Sequence, residues 1–335
     1  MNTPEKVTNL RHGDTIDEYQ IERFINCGGS GLSGTYLTAN QEVIKLFNLD
    51  NDSKRKAYDY EKFKNEAAIL KSLESSENVV DAKSDFHETA IHNSHLKLAP
   101  YYVMEKMDGT LSDLLVDSSI TLSDRLDIIQ QVISGLIDVQ AQEISHNDLR
   151  ADNILFRLMG RKILCKIADF GAARTSFSET KNTVYTPMGP AYYSSPESIA
   201  GLMGGDNADK DIIKSSDIYS LGLVIYEVLT IKQQHDIHFA LDRAYSEAAE
   251  KGLYTTNISK VNRLDYLRNV ILPKINKNKV RKIEPNEVPM IDEAIAMRLN
   301  HIIADMLVGD YKYRLTDLQK ISNEITDIQQ AIVRL

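Results

Sequence analysis

The chain has 335 residues, 42% of them hydrophobic and 26% charged, a balance that fits a folded globular protein and excludes wholesale disorder. Its 39 basic against 48 acidic side chains leave a net charge of −9, the opposite of the basic excess a general nucleic-acid binder needs. Cys27 and Cys165 alone build neither a disulfide framework nor a zinc site, which suits a reducing compartment.

The opening residues contain no apolar run of the signal-peptide kind. The most apolar stretch, 218–229, is interrupted by Tyr219, Ser220 and Glu227 and falls short of the ~20 residues a spanning helix needs. The expectation is a cytoplasmic protein with no nucleic-acid or membrane partner; secretion into another cell by a route without a signal peptide is the alternative. The oligomeric state is not legible.

Residues 19–47 read as strands: β-branched and aromatic residues punctuated by a glycine cluster, with a turn at Ala39-Asn40-Gln41 before Glu42-Val43-Ile44-Lys45-Leu46-Phe47. A helix follows, with Asp50, Asn51, Asp52 and Ser53 as cap candidates and Tyr60, Phe63, Ala67, Leu70 and Leu73 at steps of three or four. Extended segments are expected near 79–86 and 97–105, and the character changes to helix after Met107. Thr121 and Ser123 are cap candidates for a helix carrying Leu126, Ile129, Ile133, Leu136 and Ile137 on one face. The region 231–300 reads as mixed helix and loop. It contains a basic run over 272–282, read as a solvated loop, with a docking site for an acidic partner as the lesser alternative. A final helix over 315–333 places Leu318, Ile321, Ile325, Ile328 and Ile332 on one stripe, which reads as core packing.

Gly29, Gly31 and Gly34 lie between two strand-like segments, so the loop lacks the helix N-terminus of a dinucleotide-binding turn. A strand–turn–strand loop of this kind can fold over phosphates with its backbone N–H groups at close range, although a glycine hairpin without a ligand would look the same. Lys45 follows inside an apolar strand, either snorkelling from a sheet edge or held by an acid to meet phosphates. Glu66, near the packed face of the next helix, is the acid in reach by that pattern. The most specific cluster is His146-Asn147-Asp148-Leu149-Arg150-Ala151-Asp152-Asn153, then Asp169-Phe170-Gly171 at the end of a second short strand. Two carboxylates and an amide at strand ends are oxygen donors suited to a hard cation.

As an ordered set these residues resemble the eukaryotic-type protein kinase superfamily, from Tyr19 to the C-terminus. Met104 stands where the family guards the back of the adenine pocket, followed by the hinge Glu105-Lys106-Met107. Ser195-Pro196-Glu197 is similar to the end of the activation segment, Asp217 to the acid that anchors the catalytic loop, and Arg314 to the arginine paired with that segment's Glu. The resemblance implies an α+β bilobal fold: an N-terminal extension (1–18), then one kinase domain (19–335) with a small β-rich N-lobe (19–107) and a larger α-helical C-lobe (108–335). It implies ATP as donor, Mg²⁺ (or Mn²⁺) on Asn153 and Asp169, and a protein substrate. Gly29, Gly31, Gly34, Lys45, Glu66, Glu105 and Met107 would bind the nucleotide. Asp148 would take the proton of the incoming hydroxyl, and Arg150, where Ser/Thr kinases usually carry Lys, would contact the γ-phosphate or serve a structural role.

The chain departs from the family pattern at several points. Asn147 replaces the arginine that reads an activation-loop phosphate, which implies less dependence on such phosphorylation, although Thr175, Ser176, Ser178, Thr180, Thr183, Tyr185 and Thr186 still offer hydroxyls. Pro190 and Ala191 stand where a Thr-Pro is usual, and Tyr36 is expected where a Val roofs the adenine. The short link from Gly34 to Lys45 implies an abbreviated hairpin. Cys27 reads as a strand or loop residue, and His87, His92 and His95 lack a fixed metal-ligand spacing. The leading expectation is an ATP-dependent kinase of protein Ser/Thr hydroxyls. A nucleotide-binding scaffold without turnover, a small-molecule kinase and a tyrosine kinase are the alternatives. Lys45, Asp148, Asn153 and Asp169 together argue against the first of these, and Glu197 with Arg314 against the second.

Overall fold

A computed structural model describes residues 10–27, 33–47, 54–89, 99–175, 193–203, 210–254, 258–276, 280–285, 287–289 and 291–333. They form two compact units: residues up to Asp108 with Ala168–Gly171, and Gly109–Ile167 with Ala172 onward. The cap candidates Asp50–Ser53, the glycines 29 and 31, His92, His95, and the segment with Pro190 and Ala191 lie outside the described residues.

The first unit is built on a sheet of six strands, β1 (Thr15–Ile16), β2 (Tyr19–Cys27), β3 (Ser33–Thr38), β4 (Glu42–Phe47), β5 (His87–Thr89) and β6 (Ala99–Glu105), in the order β1-β2-β3-β4-β6-β5. Every pairing is antiparallel. The hairpin between β3 and β4 turns on Ala39–Asn40–Gln41, with Gln41 at a φ of +61°. Successive side chains face opposite ways, so the sheet has two distinct surfaces. One carries Ile21, Tyr36, Ile44, Leu46, Tyr101 and Val103, closed over by Leu10 and Ile16. The other carries Lys45 and Tyr102 and meets the helix α1 (Lys54–Ser72), whose Phe63 ring packs at 5.3 Å on Phe47 and 5.2 Å on Tyr102. On α1, Phe63, Glu66, Ala67 and Leu70 are buried and Tyr60 half-buried, as the helical spacing requires, and Leu73 is buried just past the helix end.

The extended segment expected near 79–86 is not a strand. It makes isolated bridges, one of them joining Ala82 to Met104. The Lys83 and Ser84 amides both donate to the Val103 carbonyl, while the Ser84 hydroxyl accepts from the Val103 amide at 3.0 Å. A side chain has thus displaced a backbone partner, and the ladder stops there. The strand forms instead at His87–Thr89, where the His87 ring stacks on Tyr101.

The second unit is helical. A short β7 (Gly109–Thr110) leads into α2 (Leu111–Leu115) and then α3 (Leu122–Ala141). Thr121 caps α3 reciprocally with Asp124, so of the two cap candidates it is Thr121 that serves. Leu126, Ile129, Ile133 and Leu136 are buried along α3 and Ile137 half-buried. Strands β8 (Ile144–Ser145), β9 (Ile154–Met159), β10 (Lys162–Ile167) and β11 (Arg174–Thr175) follow; β7, β9 and β10 form one small sheet, β8 and β11 another. After α4 (Pro196–Ile199) comes α5 (Lys210–Thr230), which buries Tyr219, Leu221, Val224, Ile225, Tyr226 and Val228 and is therefore the unit's central helix.

The remaining helices are α6 (His235–Glu250), α7 (Lys260–Tyr266), α8 (Leu272–Asn276), α9 (Glu293–Met306) and α10 (Leu318–Val333). Between α7 and α8 the chain makes a wide turn in which the Leu272 amide reaches back to the Leu267 carbonyl. Pro273 next to it has no N–H to give, which favours such a local widening. The stripe on α10 is buried, as core packing requires. Within the basic run, Lys274 pairs with Glu247, and Arg281 shares Glu287 with Lys232. No helix among the described residues is long and apolar enough to cross a membrane.

Candidate active site

In the first unit, β4 and α1 bring Lys45 and Glu66 together. The Lys45 Nζ donates to both Glu66 oxygens, at 2.8 and 3.0 Å, and to Asp169 Oδ1 at 3.0 Å. Lys45 and Glu66 are buried, whereas the Asp169 side chain is 45% exposed. Burial works against the Lys45 ammonium, but the Asp169 and Glu66 carboxylates outweigh it and hold its pKa well above the usual lysine value. Two carboxylates share that one ammonium. Burial therefore pushes Glu66 up to about 7, against the pull of Lys45 and with Asp169 adding to the rise. Asp169 itself sits in left-handed backbone at a φ of +62°, followed by the buried Phe170. A Cβ on Gly171 would come within 3.3 Å of Asp169 Oδ1, so glycine suits the close approach there.

The register of β3 corrects the expectation for Tyr36. Tyr36 pairs with Ile44 and is buried in the opposite surface of the sheet; Thr35 pairs with Lys45 and Leu37 with Val43. Thr35 and Leu37, not Tyr36, therefore share the face of Lys45, Val43 and Met104. A frame shifted by one residue exchanges the two faces of a strand. Gly34 lies within β3, opposite Leu46 and Cys27. Cys27 is half-buried at the end of β2, while burial pushes the Cys165 thiol up to about 12 and leaves it unreactive. Met104 and Met107 are half-buried. Glu105 is buried, its carboxylate accepting from the Asp81 amide at 2.9 Å, so what it offers a ligand is main chain.

In the second unit, the loop from Ser145 to Asn153 is fixed from below by Asp217 of α5. This buried carboxylate accepts from the Ser145 hydroxyl at 2.7 Å and from the His146 and Asn147 amides at 2.8 Å each. Burial raises the Asp217 pKa, opposed by the neighbouring His146 and by these donors. Asn147 has a φ of +61°, a conformation in which Asn is among the favoured residues other than glycine. Its amide donates to the Ala172 carbonyl at 3.4 Å, tying the loop to the chain beyond Gly171. The Asn153 Nδ2 donates to the Asp148 carbonyl at 2.8 Å and to Asp148 Oδ2 at 2.9 Å. With both amide hydrogens spent on Asp148, the Asn153 oxygen is the atom left to serve a cation. The Arg150 guanidinium pairs with Asp152, two residues on. The expected partnership of Arg314 and Glu197 is present and wholly buried, with bonds of 2.6 and 3.0 Å.

Sequence reasoning missed Tyr102. It lies opposite Lys45 on β6, is buried, and packs its ring at 5.2 Å on Phe63 of α1. The signal was present in the alternation that puts Tyr102 and Met104 on one face, but a tyrosine there reads as one more apolar ring.

The model of the protein kinase domain matches residues 20–328. The chain is 27% identical over 282 residues to the serine/threonine-protein kinase PrkC of Bacillus subtilis, covering 80% of this chain and 39% of that protein. It is 28% identical over 227 residues to the serine/threonine-protein kinase dst4 of Dictyostelium discoideum (64% and 42%), and 29% identical over 217 residues to PknA of Corynebacterium glutamicum (63% and 43%). The chain thus spans about two fifths of the length of these relatives. It belongs to the protein kinase family, with the sheet-rich first unit and helical second unit of that fold.

Proposed function

We propose that this chain is a catalytically active kinase that transfers the γ-phosphate of ATP to Ser or Thr hydroxyls of protein substrates. The observation that carries the reading is the buried Lys45–Glu66 ion pair with Asp169 on the same ammonium. It places one fixed positive charge on a polar cluster that has no structural need of three ionised groups. The kinase domain is taken as residues 19–335, divided at 107/108.

Phosphoryl transfer asks for positioning and for neutralisation of charge spreading over the γ-phosphate oxygens. Lys45, oriented by Glu66, holds the α- and β-phosphates. Main-chain groups of Glu105 and Met107 meet the adenine, and the loop with Gly29, Gly31 and Gly34 covers the phosphates. Asp148 accepts the proton of the incoming hydroxyl and aligns it, while Arg150 moves from Asp152 to the γ-phosphate. The carboxylate of Asp169 and the amide oxygen of Asn153 are a hard donor set that fits Mg²⁺ or Mn²⁺, which neutralises phosphate charge when bound. Asn147 favours activity without a phosphate on the activation segment, since an amide tied to Ala172 offers no cation to read one. The choice of Ser/Thr over Tyr is supported by the relatives, which are serine/threonine kinases.

The test is transfer of label from γ-labelled ATP to generic acceptor proteins by wild type and Asp148→Ala, followed by acid hydrolysis to identify the labelled residue. Label on Ser and Thr in wild type, reduced about 10³-fold or more in the variant, is the expected result. Equal label in both removes Asp148 from its role; Mg²⁺-dependent ATP binding without any label leaves a nucleotide-binding scaffold.

A further inference from the structure

Asp17 stands in the two-residue turn between β1 and β2, where Ile16 pairs with Tyr19, and takes a φ of +46°. Aspartate tolerates that conformation, so the turn accounts for its backbone. Glycine would serve the turn as well, and the carboxylate is what needs explaining. It accepts from the Tyr101 hydroxyl at 2.5 Å and from the Thr89 hydroxyl at 2.7 Å. Thr89 closes β5 and Tyr101 lies on β6, the two strands at the far end of the order β1-β2-β3-β4-β6-β5. At the usual strand spacing a flat sheet would hold β1 and β5 about 24 Å apart. The sheet is therefore rolled until its first turn meets its last strands, and the buried Leu10 and Ile16 plug the face it encloses. The Tyr19 ring, edge-on to Tyr101 at 6.3 Å, is a second contact across the same closure.

We propose that residues 10–18 form a clasp, with Asp17 as its catch, that closes this sheet on itself and so holds β6 against the lysine strand β4. These residues lie outside the stretch 20–328 that matches the kinase domain, so the clasp adds to that domain. It is bonded along its length to β2: the Ile21 amide donates to the Asp14 carbonyl at 2.8 Å, and the Gly13 amide to the Ile21 carbonyl at 2.9 Å. The Tyr101 hydroxyl, with Thr89 adding, holds the Asp17 carboxyl below its usual range, so the acceptor is charged at neutral pH. Tyr101 pairs with Leu46, the neighbour of Lys45, and the next residue of β6 pairs with Lys45 itself. A catch on Tyr101 thus bears on the strand pair that presents the lysine, from the opposite face of the sheet. Asp17 is in this sense a positioning residue, acting through Tyr101.

The effect on nucleotide rests on the kinase reading, so the first of two measurements is independent of it. Amide hydrogen exchange in the full chain reads opening of the clasp at Gly13 and Ile21. Asp17→Gly suits the turn and removes only the catch. It should speed exchange at both amides about fivefold, as the loss of a hydrogen bond to a charged acceptor requires, and leave the buried amides of α5 unchanged. Tyr101→Phe keeps the ring, and adding it to Asp17→Gly should cost nothing further. Exchange unchanged by Asp17→Gly, or losses that multiply in the double variant, would overturn the clasp. In equilibrium binding, affinity for Mg²⁺·ATP should fall about fivefold in Asp17→Gly and recover in Asp17→Asn, whose amide can bridge the same two hydroxyls. Unchanged affinity beside faster exchange would reject the hold on β4. A wild type that binds no Mg²⁺·ATP defeats the kinase reading, while the exchange cycle still decides whether Asp17 closes the sheet.

Discussion

Lys45 is held by two carboxylates of different character, and their difference is the chemistry of this end of the site. Glu66 is buried; Asp169 is half open. Because the fold lifts Glu66 from the ordinary 4.5 to about 7, the native protein keeps a proton that the unfolded chain releases between those values. The residue's contribution to stability therefore falls as the pH rises through that window, and Glu66→Gln should flatten the decline in denaturant midpoint between pH 5 and 7 relative to wild type. A wild-type slope unchanged by the substitution would contradict the assignment. Lys45→Met should abolish detectable transfer while the protein stays folded, as read by far-ultraviolet circular dichroism and the rate of label transfer. At this scale Lys45, Asp148, Asn153 and Asp169 could be singled out as candidates, Lys45 as a cation inside an apolar strand and the other three as oxygen donors in a fixed order beside strand ends. Tyr36 and Thr35 were not, since a period of two makes a slip of one residue invisible in a run where every position is buried.

Elements form where burial and local hydrogen bonding agree, and the chain shows both outcomes. Helix α3 was legible from its stripe and its Thr121 cap; the edge at 79–86 was not, because the Ser84 hydroxyl takes a backbone amide for itself. The packing of α5 on α9 yields a direct test. A Cβ on Gly222 would stand 3.1 Å from both Leu307 Cδ2 and Met306 Cβ, and the latter is too close to backbone to yield. Gly222→Val should lower the unfolding free energy by about 2–3 kcal/mol in urea titration. A value near zero would mean that the two helices separate freely. Arg314 bonds Glu197 of α4, the Ser215 carbonyl of α5 and the Val308 carbonyl after α9, so one side chain ties three segments. Arg314→Ala leaves the Glu197 charge buried and unpaired, and should cost about 3–5 kcal/mol, partly recovered by adding Glu197→Ala. Absence of any recovery would show that the backbone bonds, and not the ion pair, carry the effect.

On the scale of the whole molecule, the change from strand to helix near Met107 was legible because alternation gives way to three-and-four spacing, and the two units divide beside it. The region 231–300 was the least legible: its helices are interrupted by turns such as the one before Pro273, and no single periodicity runs through it. The central proposal is that Asp148, Asn153, Asp169 and Lys45 serve one reaction. Residues that act as one device lose their effects together, so the decisive measurement is single-turnover transfer by Asp148→Ala, Asp169→Ala and the double variant, each verified as folded. The account predicts that each single change costs about 10³-fold or more and that the double costs scarcely more than the worse single. Fully multiplicative losses, or a variant that transfers phosphate at the wild-type rate, would contradict it.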